Sequence, residues 1–104
     1  MATTKVCMGQ VVGADGVGRR ARVTITLSAP AMAGTQEVLT APIVVPTNES
    51  GVYSVNLFSN ADLTPATTTY QVSEADQAGG GTYTFKITVP QTAGPFQVAA
   101  ITTP

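Results

Sequence analysis

Histidine, the side chain that most often activates a nucleophilic hydroxyl or thiol, is absent from this 104-residue chain. Its many Ser and Thr hydroxyls therefore lack the usual partner for covalent catalysis and read as ordinary strand-surface groups. The acids Asp15, Glu37, Glu49, Asp62, Glu74 and Asp76 are scattered, and only Glu74 and Asp76 lie close in sequence. That is too sparse a set for a cation cage, which needs several oxygen, nitrogen or thiolate ligands converging on one point. Cys7 is the single cysteine, so no internal disulfide is possible, and it reads as a small apolar residue in or beside the core. The glycine-bearing stretch 13–18 superficially suggests a phosphate loop, yet it lacks a Gly-Lys-Ser/Thr ending and a following helix, so it reads as a turn. Asn48-Glu49-Ser50 fits a glycosylation pattern, but no signal peptide precedes it. No catalytic, cofactor-binding or metal-ligating residue is expected.

What remains is the chemistry of contact. Arg19, Arg20 and Arg22 form the one charge cluster, suited to an acidic partner surface or a phosphate, or simply to a solvated turn and strand start. Phe58 falls on the strand face opposite Tyr53, Val55 and Leu57, which suits either an interface anchor or a second layer of core. Residues 1–4 read as a short flexible arm able to pair with a neighbouring sheet edge. Thr3, Thr4, Lys5, Arg19, Arg20, Arg22 and Phe58 are accordingly the expected partner-contact residues.

The elements that must position these groups are strands. Thr, Val and Ile, at 17, 13 and 4 residues, make up about a third of the chain and favour a pleated, half-buried surface. Alternation predicts strands over 5–12, 21–28, 37–45, 52–58, 69–74, 82–89 and 96–101, separated by turn signals such as Pro46-Thr47-Asn48-Glu49-Ser50-Gly51 and Gln77-Ala78-Gly79-Gly80-Gly81. Pro42 marks the third as an edge strand. Residues 59–67 read as a connection holding one helical turn, with Asn60 and Asp62 as capping side chains and Leu63 plugged into the core. The expectation is an all-β chain: one domain over residues 1–104, an antiparallel sandwich of about seven strands with Greek-key connections, transthyretin-like or immunoglobulin-like.

Apolar residues reach 43% while charged residues are 11%, less than half the usual share, and the net charge is −1. A core can be buried, the surface is neutral and rich in hydroxyls, and nonspecific nucleic-acid binding is disfavoured for want of Lys and Arg. No apolar run approaches a membrane span, and the start lacks a basic segment followed by an apolar one, so a soluble chain made in the cytoplasm is expected.

The runs Ala21-Arg22-Val23-Thr24-Ile25-Thr26-Leu27 and Thr47-Asn48-Glu49-Ser50-Gly51-Val52-Tyr53-Ser54-Val55-Asn56-Leu57 resemble the transthyretin-like, carboxypeptidase-regulatory-type sandwich, in which a turn ending in Gly precedes an aromatic-bearing strand. Together with Asn60-Ala61-Asp62-Leu63-Thr64-Pro65, Thr69-Tyr70-Gln71-Val72-Ser73-Glu74 and Tyr83-Thr84-Phe85-Lys86-Ile87-Thr88-Val89-Pro90, the chain from about residue 23 to 101 is similar to small β-sandwich modules in virion proteins of phages infecting actinobacteria. The resemblance implies a non-enzymatic virion structural protein made in the host bacterial cytoplasm. With nothing following Pro104, a capsid decoration protein is expected: one that sits on the capsid surface, binds the major capsid protein and reinforces the lattice as a homo-oligomer, dimer or trimer, without a cofactor, nucleic acid or membrane. The alternative is a tail- or fibre-associated carbohydrate-binding or adhesion module, which exposure of Tyr53, Tyr70 or Tyr83 on a concave face would favour.

Overall fold

The computed structural model describes residues 4–92 and 94–103. It is an all-β fold whose strands are β1 (Thr4–Gln10), β2 (Ala21–Leu27), β3 (Ala31–Ala33), β4 (Gln36–Val38), β5 (Ile43–Pro46), β6 (Val52–Phe58), β7 (Leu63–Thr64), β8 (Tyr70–Asp76), β9 (Thr82–Ile87), β10 (Phe96–Gln97) and β11 (Thr102–Thr103). Two single turns of 3₁₀ helix, Asn60–Asp62 and Val98–Ala100, complete it. The strands form a five-stranded sheet in the order β11-β9-β8-β2-β5, a three-stranded sheet β10-β1-β6, and a small sheet β4-β3-β7.

The inner face of the five-stranded sheet is built from rows of side chains set by register. Val45, Val23, Glu74 and Tyr83 lie side by side across β5, β2, β8 and β9, and Ile43, Ile25, Val72 and Phe85 form the next row. Directly opposed residues share a face, and each row is buried at its middle, at Val23 and at Ile25 and Val72, while its ends are partly or largely exposed. Val23, Ile25, Leu27, Tyr70, Val72 and Ile87 are buried in one cluster with Cys7, Tyr53 and Leu57 of the three-stranded sheet and Ala31, Ala33 and Leu63 of the small one. Two tyrosine hydroxyls tie the larger sheets together across this core. Tyr53 of β6 donates to Glu74 of β8 at 2.5 Å, and Tyr70 of β8 donates to the Phe58 carbonyl of β6 at 2.8 Å. Burial pushes the Tyr70 phenol up to about 12, so it stays a donor at any ordinary pH.

Several elements depart from the alternation pattern for local reasons. The expected third strand, 37–45, is two strands in different sheets, β4 and β5, parted by Leu39-Thr40-Ala41-Pro42. As Pro42 suggests, β5 is an edge strand. The expected seventh strand, 96–101, is β10 followed by a 3₁₀ turn, and β11 forms after it at Thr102–Thr103, so that the segment carries the chain from one sheet to the other. β10 pairs with β1 in parallel, Cys7 opposite Phe96, whereas every other strand pairing among the described residues is antiparallel. The helical turn at 60–62 and the buried Leu63 stand where the sequence puts them, but Asn60 is not a surface cap. It is fully buried, as a polar tie between segments.

The outer edge of β5 is blunted. The Thr47 N–H donates to the Ala21 carbonyl at 3.1 Å, which fixes the parity: odd-numbered residues turn their N–H toward β2 and even-numbered ones turn it outward. Pro42 and Pro46, both even, have no N–H, so Val44 alone offers an outward donor along this edge. Prolines placed this way are a known protection against sheet-to-sheet pairing.

Candidate functional site

The contact residues expected from sequence do not converge. Thr4 and Lys5 lie in β1, paired with Phe58 and Leu57 of β6, so Thr4 belongs to the sheet and not to a free arm; Thr3 lies outside the described residues. Phe58 is half-buried and packs against the core, closer to the second-layer role than to an exposed anchor. Arg19, whose N–H donates to the Val11 carbonyl just past β1, lies at the opposite end of that strand, more than about 20 Å from Thr4 at 3.4 Å per residue, with Arg20 next in sequence and Arg22 in β2. Arg19 binds Asp76 through Nη2 at 2.7 Å and Nε at 3.1 Å, and Arg20 binds Glu49 at 2.8 Å. Two of the three guanidinium groups are thus engaged within the chain, and only Arg22, exposed on β2, makes no ion pair among the described residues. Also among the described residues, no three Cys, Asp or Glu side chains come together, and no helix is long and apolar enough to cross a membrane.

The groups that do converge line an open groove of about 1220 Å³ between the ends of the larger sheets. Its floor and walls come from the end of β1 and the loop after it (Gln10, Asp15), the β8–β9 hairpin (Glu74, Tyr83, Phe85) and the turn Val98–Ala100. The five-stranded sheet is wider than the three-stranded one, and the groove lies on its β9 side. The rows described above therefore emerge at their ends: Tyr83 carries the alternation of a core residue yet is 65% exposed, and Phe85 beside it is half-buried. Their rings form a tilted pair with centroids 5.2 Å apart, within the range of favourable aromatic contact.

Glu74 is the charged member of the same row. Burial pushes its carboxyl above the ordinary value, opposed by the hydrogen bond from Tyr53; the Tyr53 phenol is itself pushed far up, by burial first and then by Glu74. Asp76, two residues on, is held below its ordinary value by the N–H of Ala78 and by Arg19. The two carboxyls therefore link folding to pH in opposite senses. Because the folded pKa of Glu74 lies above its ordinary 4.5, the fold loses stability as pH rises from there through the raised value. The contribution of Asp76 is present above its ordinary 3.8 and is lost as pH falls. Glu74→Gln keeps an acceptor for Tyr53 and cannot ionise. Urea unfolding between pH 4 and pH 8 is expected to show this variant gaining on the native chain as pH rises; a gap that does not change with pH would mean that Glu74 is not desolvated.

Sequence reasoning did not find the groove, although part of its signal was present. Glu74 follows Tyr70 and Val72 at period two and so had to face inward, and Tyr83 and Phe85 precede Ile87 in the same way. The missing information was the width of the opposing sheet, which no local pattern carries. Neither a family model nor a curated protein matches the chain.

Proposed function

We propose that the chain is a non-enzymatic structural module of a bacteriophage virion, a Greek-key sandwich of the transthyretin-like kind that binds the major capsid protein and reinforces the lattice as a capsid decoration protein. The observation that carries this reading is the exposed apolar segment at the β5 edge: Leu39, Ile43 and Val44 are 67, 42 and 55% exposed. Their backbone edge is blunted by Pro42 and Pro46, so the segment offers side chains to a partner while discouraging indiscriminate sheet pairing. A chain with 11% charged residues suits docking on a repeated surface, where many copies each make a modest contact.

Co-sedimentation of the purified protein with empty phage capsids tests this reading, with light scattering giving its oligomeric state in solution. Saturable binding at a fixed ratio to the major capsid protein is the expected result, and absence of binding overturns it. A second reading, a carbohydrate-binding or adhesion module of the tail, draws on one observation, the exposure of Tyr83 on a concave surface. Binding to a glycan array that disappears in Tyr83→Ala would favour it over decoration.

A further inference from the structure

The groove is bordered by a strand edge with open hydrogen-bonding positions. The Thr88 N–H donates to the Ile101 carbonyl at 3.0 Å, while the Gly81 carbonyl accepts from the Asp76 N–H at 3.0 Å, on the β8 side. Parity then places the N–H and C=O of Lys86, Thr84 and Thr82 on the side away from β8. On that side β11 meets β9 only at Lys86 and Ile87. The backbone groups of Thr82 and Thr84 have no partner strand among the described residues, and no proline blocks them. This is the opposite of the β5 edge, where prolines remove the donors.

The side chains next to this edge are those of an unfinished core. Tyr83 and Phe85 are two residues apart and face the groove, so an added strand would set alternate side chains against them. The charge at the same place is acidic. Asp15 and Glu74 line the groove with Asp76, and the one cation there, Arg19, is bound to Asp76. Asp15 Oδ1 accepts the Val17 N–H and Glu74 Oε2 accepts from Tyr53, which leaves the second oxygen of each carboxyl without a partner among the described residues.

We propose that the Thr82–Phe85 edge of β9 receives an extended segment of a partner protein as an added strand in line with β11, its alternate apolar side chains seated over Tyr83 and Phe85 and a Lys or Arg directed at Asp15 and Glu74. Main-chain hydrogen bonds supply the affinity in such strand addition, and the alternate side chains supply the selectivity. This rests on the reading of the chain as a protein-binding module and identifies the kind of segment it captures. Open backbone donors favour a peptide over a sugar, which would use the aromatic faces and have no need of a strand edge.

Selection of a displayed library of 12-residue peptides on the intact chain tests the proposal without reference to capsids. The expected winners have apolar residues at every second position and a basic residue toward one end. Their affinity is expected to fall about tenfold in Thr84→Pro, which removes one edge N–H and adds a ring in the path of the incoming strand. Thr82→Pro is a second variant of the same kind. Both residues face away from β8, so the existing ladder survives, and unchanged thermal unfolding confirms it. Failure to enrich period-two sequences, or equal binding by both proline variants, overturns the proposal. A neutral oligosaccharide such as mannohexaose that binds the native chain and Thr84→Pro alike but not Tyr83→Ala overturns it in favour of a glycan site. Capsid binding retained by the proline variants, with no peptides enriched, rejects the β9 edge and leaves decoration standing; peptide capture with no capsid binding does the reverse.

Discussion

Asn60→Leu is expected to destabilise the fold by about 2–6 kcal/mol, although leucine has the same number of side-chain heavy atoms and adds apolar surface. Asn60 is fully buried, and its Oδ1 accepts the Val89 N–H at 2.8 Å while its Nδ2 donates to Thr68 Oγ1 at 3.3 Å. From the same segment, the Asn60 N–H donates to the Val89 carbonyl at 3.1 Å, as does Ser59 Oγ at 2.8 Å. Val89, just beyond β9, is thereby satisfied by side chains and by a helical turn instead of by a neighbouring strand. Leucine fills the space but strands the Val89 N–H and the Thr68 hydroxyl away from water, at about 1–3 kcal/mol for each orphaned group. Urea denaturation with an unchanged slope would report the loss. A loss below about 1 kcal/mol would show that water reaches Val89.

The second large effect is expected at Gly51, where Gly51→Ala should cost about 2–5 kcal/mol from two separable causes. Its φ is 80°, a conformation that costs an L-residue about 1–2 kcal/mol, and it closes the turn in which Asn48 Oδ1 accepts the N–H groups of Ser50 and Val52. A Cβ at Gly51 would also drive into the carbonyl of Val11 and approach the backbone of Arg19. Those three segments are laced together: Val11 N–H to the Gly51 carbonyl and Arg19 N–H to the Val11 carbonyl, each at 2.9 Å. Gly16 separates the contributions, since its φ of 77° is equally restrictive but a Cβ there meets nothing within 4 Å. Gly16→Ala is therefore expected to show the conformational part alone, about 1–2 kcal/mol. Equal losses at the two glycines in thermal or urea unfolding would dismiss the crowding at Gly51.

These two positions mark the boundary of what the sequence discloses. β2, β6, β8 and β9 announce themselves because one face of each meets the core, and period-two alternation is the imprint of that contact. Of their inward residues Val23, Ile25, Leu27, Tyr53, Leu57, Tyr70, Val72 and Ile87 are buried, Val55, Glu74 and Phe85 half-buried, and Tyr83 exposed. β3 lies in a stretch that reads as loop, because Ala31-Met32-Ala33 is too short and too small to show a period. The 96–101 segment reads as one strand, since Phe96, Val98 and Ile101 look apolar enough; nothing local says that the first residues join one sheet and the last lead into the other. Asn60 was legible as a residue suited to a helical turn, but its role as an internal tie depends on Val89 and Thr68, brought near only by the fold. The contact residues fared similarly. Arg19 and Arg20 look like a free basic patch until the hairpins bring Asp76 and Glu49 beside them.

The placement of β10 has a consequence for the time course of folding. β1, the middle strand of its sheet, is made before both its partners, and β10 follows it by nearly 90 residues, with Cys7 opposite Phe96. During synthesis β1 can zip onto β6 once that strand has emerged, but its other flank stays bare until β10 has left the ribosome. Loop-closure entropy makes so distant a pairing slow, and late strand closure lengthens the interval in which neighbouring chains compete for the exposed edge. A blunted β5 edge limits that competition on one side of the molecule, which leaves the docking of β10 as the step that closes the other.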